Sequence, residues 1–123
     1  MVRKLVYVIH KHHARRLHWD LRLERRGVLK SWAIPKEPPA KPGVKRLAVQ
    51  VDNHPLGYAK FRGVIPKGQY GAGKVEIWDS GSYEPIEWTG KSIVINIRGN
   101  KLRGEFCLVK FRPPKNWLFF KKK

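Results

Sequence analysis

Acidic residues are scarce in this chain: 9 Asp and Glu stand against 27 Lys and Arg, which leaves a formal net charge of +18 over 123 residues. So one-sided a balance calls for a polyanionic partner, either nucleic acid or an anionic membrane. Long hydrophobic runs are also missing. No apolar stretch approaches the roughly 18 residues of a membrane-spanning helix, and neither a signal peptide nor a long amphipathic helical pattern is present, so nucleic acid is the better partner. Cysteine is almost absent. Cys107 alone can form neither an internal disulfide nor a Cys-rich zinc site, and within its apolar strand pattern it reads as a small hydrophobe in a reduced, cytoplasmic compartment. Helical periodicity is missing as well, and nothing reads as a helix longer than about two turns.

What remains is a chain cut into short pieces by nine prolines and eleven glycines, with Val, Ile, Trp, Tyr and Phe dominating the pieces. That pattern predicts a mainly all-β fold, a compact antiparallel barrel being the way to hide the sheet edges. The length allows one domain with a real core, spanning residues 1–123. Strands are expected at 5–9, 17–24, 28–34, 47–52, 75–78, 92–98, 102–111 and 117–120. Turns are expected at Ala14–Arg16, Arg26-Gly27, Asp79-Ser-Gly-Ser and Gly99-Asn100. The stretch Pro35–Pro42 cannot pair as a central strand and reads as a loop, and Lys121–Lys123 reads as a solvated tail.

Chemistry concentrates in Lys11–Glu24, reading KHHARRLHWDLRLE. From Leu17 onward the alternation is strict, with Leu17, Trp19, Leu21 and Leu23 apolar and His18, Asp20, Arg22 and Glu24 polar. Successive side chains of a strand point to opposite faces, so His18, Asp20 and Arg22 should stand side by side. His12 lies across the mouth of the preceding turn. Imidazoles, a carboxylate and a guanidinium together suit a divalent metal beside a phosphate. His10 and His13 read as bystanders, and Trp19 and Trp32 as core rather than base-stacking platforms.

Two patterns mislead. Gly68–Lys74 (GQYGAGK) matches seven positions of a Walker phosphate loop, but Val75 stands where Ser or Thr must reach Mg²⁺, and a strand pattern follows where a helix must open. It reads as a glycine-rich turn closing a barrel edge. His18-x-Asp20 plus a third His also matches the facial triad of non-haem iron oxygenases. The cations around it, Arg22, Lys36 and Arg46, favour phosphate chemistry instead.

The runs KHHARRLHWDLRLE, GVLKSWAIPK and KRLAVQVDNHPLGYAKFRGVIPKGQYGAGKVEIWDSG together resemble the 3′-phosphoesterase domain of DNA ligase D and its stand-alone archaeal relatives, over essentially the whole chain. The resemblance implies an antiparallel β-barrel with short flanking helices and a manganese-dependent activity on primer 3′ ends, with Co²⁺ and Zn²⁺ as alternative metals. A phosphodiesterase step removes a terminal ribonucleoside, and a phosphomonoesterase step removes the 3′-phosphate to leave a 3′-OH for non-homologous end joining. It places the metal triad on His12, His18 and Asp20. Phosphate contacts fall on Arg22 and Arg46, the second histidine site and its tyrosine on His54 and Tyr58, and the lysine of the SWAxPK motif on Lys36. Asp52 stands where relatives often carry Glu, and it is the least transferable assignment. The partners implied are primer-template DNA ends, including ends with ribonucleotides, and a separate ligase and polymerase, with the domain acting as a monomer. The rival class is a non-catalytic basic β-barrel that coats nucleic acid without needing metal.

Overall fold

The computed structural model describes residues 4–123, so the first three residues of the expected domain lie outside it. Nine strands form: β1 (Leu5–His13), β2 (Leu17–Arg25), β3 (Val28–Ile34), β4 (Lys45–Pro55), β5 (Gly63–Ile65), β6 (Gly73–Trp88), β7 (Ser92–Arg98), β8 (Arg103–Arg112) and β9 (Asn116–Lys121). Their order, β1-β2-β3-β4-β9-β8-β7-β6, closes through a β1–β6 ladder into an eight-stranded antiparallel barrel, with β5 hung on the start of β6. Closure pairs each of the eight barrel strands on both sides, and β5 is the edge strand among the described residues. The flanking helices reduce, among the described residues, to one 3₁₀ helix at Leu56–Lys60.

The inward side chains of every second strand residue make the core. Tyr7, Ile9, Trp19, Leu21, Leu23, Trp32 and Ile34 from the first three strands meet Tyr83, Ile93, Ile95, Ile97, Phe106, Trp117 and Phe119 from the rest. Each large side chain fully buried this way contributes on the order of 2 kcal/mol. Trp19 and Trp32 are core, as their apolar parity predicts. The Arg26-Gly27 turn also forms as expected: Arg26 has φ 52 and Gly27 has φ 81, the positive pair that a two-residue hairpin needs to match strand twist.

Three local expectations are corrected. The first strand does not stop at Ile9; it continues to His13 because both its neighbours, β2 and β6, pair with it along the histidine stretch. The segment Asp79–Ser82 is not a turn but the middle of β6. Asp79 is buried and serves a different turn: its carboxylate accepts the backbone N–H of Asn100, Lys101 and Leu102 and the Tyr7 hydroxyl, holding the β7–β8 hairpin from the adjoining strand. Lys121 belongs to β9 rather than to a solvated tail.

Candidate metal centre

Register builds the site. His12 stands opposite His18 and His10 opposite Asp20 across β1–β2, and Asp20 and Arg22 stand opposite Ala33 and Ser31 across β2–β3. These side chains therefore share the outer face of the barrel wall, back to back with the hydrophobic core. This outer face is largely shielded from solvent: His10, His12, Asp20, Arg22 and Glu24 are all buried. Both faces of β2 are covered.

The Nδ1 of His12 and the Nε2 of His18 lie 3.2 Å apart. Asp20 Oδ2 is 3.3 Å from the His18 nitrogen and 3.8 Å from the His12 nitrogen. All three donors fit within 4.8 Å of one another, and no other such group of His, Cys, Asp or Glu converges among the described residues. The outer ring nitrogens are committed: His12 Nε2 donates to the Gly71 carbonyl at 2.8 Å, and His18 Nδ1 donates to the Arg16 carbonyl at 3.0 Å. A carbonyl only accepts, so each outer nitrogen carries the proton and each inner nitrogen of the neutral ring aims a lone pair at the centre. Two lone pairs and a carboxylate facing one another repel unless a cation or proton lies between them. The donor set thus fits a divalent metal.

Electrostatics agree with that reading. The hydrogen bond to Asp20 holds His18 above the usual imidazole range, against the opposing effect of burial. Burial alone would push the Asp20 carboxyl up, but the His18 bond and the Arg22 charge outweigh it and hold it low.

Arg22 is the hub beside this centre. Its Nε donates to His10 Nδ1 at 3.0 Å, one Nη1 N–H donates to Ser31 Oγ at 2.8 Å, and Nη2 reaches Asp20 at 3.4 Å. Nη1 also lies 3.1 Å from His54 Nδ1, and the guanidinium sits 5.0 Å from the centre of the Tyr58 ring. Four of the five donors point at protein partners, so one Nη2 N–H is left to meet a ligand. His54 reaches the site through an irregularity in the β3–β4 ladder between Leu29 and Ser31. Val51 and His54, three residues apart, would face opposite ways in an unbroken strand, yet both line the same cavity. Burial, then the Arg22 charge, keeps His54 below the usual imidazole range. The cavity holds about 470 Å³; its floor is His12, His18, Asp20, Arg22, His54 and Tyr58, and Ala14, Ala33, Val51, Ile65, Tyr70 and Gly71 complete its walls.

Residues 10–110 match the protein family described as the DNA Ligase D 3′-phosphoesterase domain. The chain belongs to that family. It is 49% identical to the multifunctional non-homologous end joining protein LigD of Mycobacterium bovis over 109 residues, covering 85% of this chain and 14% of that protein. The Pseudomonas aeruginosa protein of the same name is 49% identical over 111 residues, 86% of this chain and 13% of its own. That of Mycolicibacterium smegmatis is 48% identical over 124 residues, 91% of this chain and 16% of its own. The chain therefore spans about one-seventh of the length of these relatives.

Not every residue expected from the 3′-phosphoesterase family meets at the cavity. His12, His18, Asp20, Arg22, His54 and Tyr58 line it together. Asp52 does not: its carboxylate is exposed and lines a separate hollow with Lys30 and Lys115, and only its backbone oxygen approaches His54, at 3.1 Å. The even spacing of Asp52 and His54 predicts one shared face, and the β3–β4 irregularity separates them. Lys36 is exposed beyond the end of β3, and Arg46 donates from Nε to the Glu37 carbonyl at 2.8 Å; neither lines the cavity.

His10 is the main correction. It is 0% exposed, accepts from Arg22, donates from Nε2 to the Phe61 carbonyl at 3.0 Å and sits edge-on to Tyr58 at 5.3 Å. It ties the guanidinium to the segment carrying Tyr58. The signal was its even spacing from His12, legible once β1 is extended through the histidines. His13 stays outside the site, exposed and 3.4 Å from Glu76. The glycine-rich segment leads into a strand, and its carbonyl at Gly71 is what orients His12.

No helix among the described residues is long and apolar enough to cross a membrane.

Proposed function

We propose that this chain is a metal-dependent phosphoesterase that heals 3′ ends of DNA. It removes a 3′-terminal ribonucleoside and then the remaining 3′-phosphate from primer-template ends, leaving a 3′-OH. The observation that carries this reading is the convergence of His12 Nδ1, His18 Nε2 and Asp20 Oδ2, with both outer ring N–H groups held by backbone carbonyls, at the floor of a cavity shared with Arg22 and His54. Two imidazoles and a carboxylate accept Mn²⁺, Co²⁺ or Zn²⁺, and Mn²⁺ is the ion that the family resemblance implies. Bound there, such an ion supplies Lewis-acid polarisation and neutralises charge on the phosphoryl oxygens.

The chain's own residues supply the rest. Arg22 directs its remaining N–H at a phosphate oxygen, with its plane fixed by His10 and Ser31. His54 Nδ1 accepts from Arg22, so the neutral ring carries its proton on Nε2, the atom left to deliver it to the departing oxygen. Tyr58 packs against that ring at 4.8 Å and against Phe61 at 4.9 Å, which limits its rotation. Asp52, Lys36 and Arg46 can join only by moving toward a bound end. The net charge of +18 favours approach to a polynucleotide. The end-joining role in the names of the relatives supports a repair setting; the compartment proposed for it is the cytoplasm, and the partners proposed are a separate ligase and polymerase.

The test uses a 5′-labelled primer on a longer template, ending in one ribonucleotide or in a 3′-phosphate, with Mn²⁺ or with a chelator. Manganese-dependent conversion to a 3′-OH supports the reading. Tight DNA binding that ignores the chelator, with no end converted, would replace it with the non-catalytic binding barrel.

A further inference from the structure

The glycine-rich segment before β6 is not used by the chemistry above except through the Gly71 carbonyl. It carries Tyr70, whose ring is 86% exposed and yet lines the catalytic cavity. Only Phe111, at 46%, is also exposed among the described aromatics, so a tyrosine left that open is an unusual use of apolar surface. No other ring packs on it among the described residues.

Tyr70 is nevertheless held in place. Two successive turns bracket it: Gln69 N–H donates to the Pro66 carbonyl at 3.2 Å, and Ala72 N–H donates to the Gln69 carbonyl at 3.1 Å. Gly68 at φ 92 and Gly71 at φ 75 take the left-handed conformations that flank it, which a side chain would strain. The next carbonyl along, Gly71, is fastened to His12 at 2.8 Å. At Gly73, φ 122, an added Cβ would collide with the His13 carbonyl, so the segment lies directly on the end of β1. The backbone beside Tyr70 is thus pinned to the metal ligand His12, and the ring is left exposed at the cavity. Tyr70 and Arg22 line the same cavity, together with the metal ligands.

We propose that Tyr70 is the stacking platform for the base of the terminal nucleotide, a specificity-determining residue that reads the presence of a base at the 3′ end without reading which base it is. This rests on the end-healing reading above. With the phosphate at Arg22 and the metal ligands, Tyr70 is the exposed aromatic ring in the lining of the same cavity, where it can meet the terminal base. Every base has a π-face, so a single exposed aromatic ring suits a terminus of any sequence. The floor contains charges for the phosphate, and Tyr70 supplies the apolar surface for the rest of the nucleotide.

The experiment compares the wild type with Tyr70→Ala, Tyr70→Phe and Tyr70→Trp on primer-templates ending in a 3′-phosphate. One terminus carries a normal base and the other is abasic at its last sugar. The expected result is a KM for the wild type about 10- to 100-fold lower on the base-bearing end, a difference that Tyr70→Ala erases and that Phe and Trp restore. The loss falls on KM, not on kcat. An equal rise in KM on both ends, or no change on either, overturns the platform while the end-healing reading stands. A fall in kcat with KM intact overturns it too. Failure of the wild type to convert any end under any metal overturns the functional reading and this proposal with it.

Discussion

His12 and His18 face each other across the β1–β2 ladder with their inner nitrogens 3.2 Å apart, while Gly71 and Arg16 carbonyls hold the protons on the far sides of both rings. Without a metal the pair relieves this opposition by placing a proton on His18, whose affinity for it is raised by the Asp20 hydrogen bond. Metal must displace that proton. Mn²⁺ affinity should therefore fall as pH drops through the raised His18 value, by about tenfold per unit, and binding should release about one proton. Calorimetric titration in buffers of different ionisation enthalpy measures both. Binding that is insensitive to pH from 5 to 8 would contradict the assignment of His18 as a ligand.

His10 makes the opposite kind of prediction, on stability. Burial, and then the Arg22 charge, push it down from 6.5 to about 4. Above pH 6.5 the folded and unfolded states are both neutral here and nothing is lost. Between pH 6.5 and about 4 the unfolded chain takes up a proton that the folded chain refuses, so stability falls with pH, by about 3 kcal/mol in all. His18 works in the other direction over part of this range, so the comparison must be with His10→Gln, which keeps one acceptor for Arg22 and one donor for Phe61. Urea unfolding at several pH values should show a shallower acid loss in the variant. Parallel pH profiles would remove His10 from the account.

Asp79 supports the fold away from the chemistry. It is buried and accepts four hydrogen bonds, three of them from consecutive backbone N–H groups. Replacing it by Ala strands those donors and should destabilise the barrel by about 3 kcal/mol. Denaturation midpoints check this, and kcat of the folded variant should stay near the wild-type value. A change below about 0.5 kcal/mol would mean that the turn finds other partners.

Binding to DNA should be strongly salt-dependent. If about five Lys and Arg contact backbone phosphates, log affinity against log salt should have a slope of about −4 to −5. Anisotropy titrations between low and physiological salt give the slope directly, and a flat line would show that the charge is not used this way.

Much of this was legible in the residues. Strict alternation from Leu17 to Glu24 puts His18, Asp20 and Arg22 on one face, and the structure places them there. The broken helical pattern and short β-rich pieces lead to a barrel. Other features depend on partners that a local pattern does not carry. His10 reads as a bystander because it matches no position of the metal triad; its role appears only once pairing with both β2 and β6 carries the strand through the polar histidines. Asp79-Ser-Gly-Ser has turn composition, but the carboxylate is spent on a distant hairpin, so the strand runs on. Asp52 and His54 separate because of a ladder irregularity that leaves no mark in their spacing. Lys36 and Arg46 carry the right charge without reaching the cavity, since charge alone says nothing about where a long side chain ends.

The most direct measurement pairs metal occupancy with turnover. Free Mn²⁺ would be followed by electron paramagnetic resonance while phosphate release from a 3′-phosphate primer-template is recorded, for the wild type and for His12→Ala, His18→Ala and Asp20→Ala. The account predicts one tightly bound Mn²⁺ per wild-type chain with phosphate release tracking its occupancy, and a loss of both, by more than about 100-fold in rate, in each variant. Phosphate release that persists in the variants, or that proceeds with no Mn²⁺ bound, would contradict the central claim that these three side chains hold the metal of a 3′-phosphoesterase.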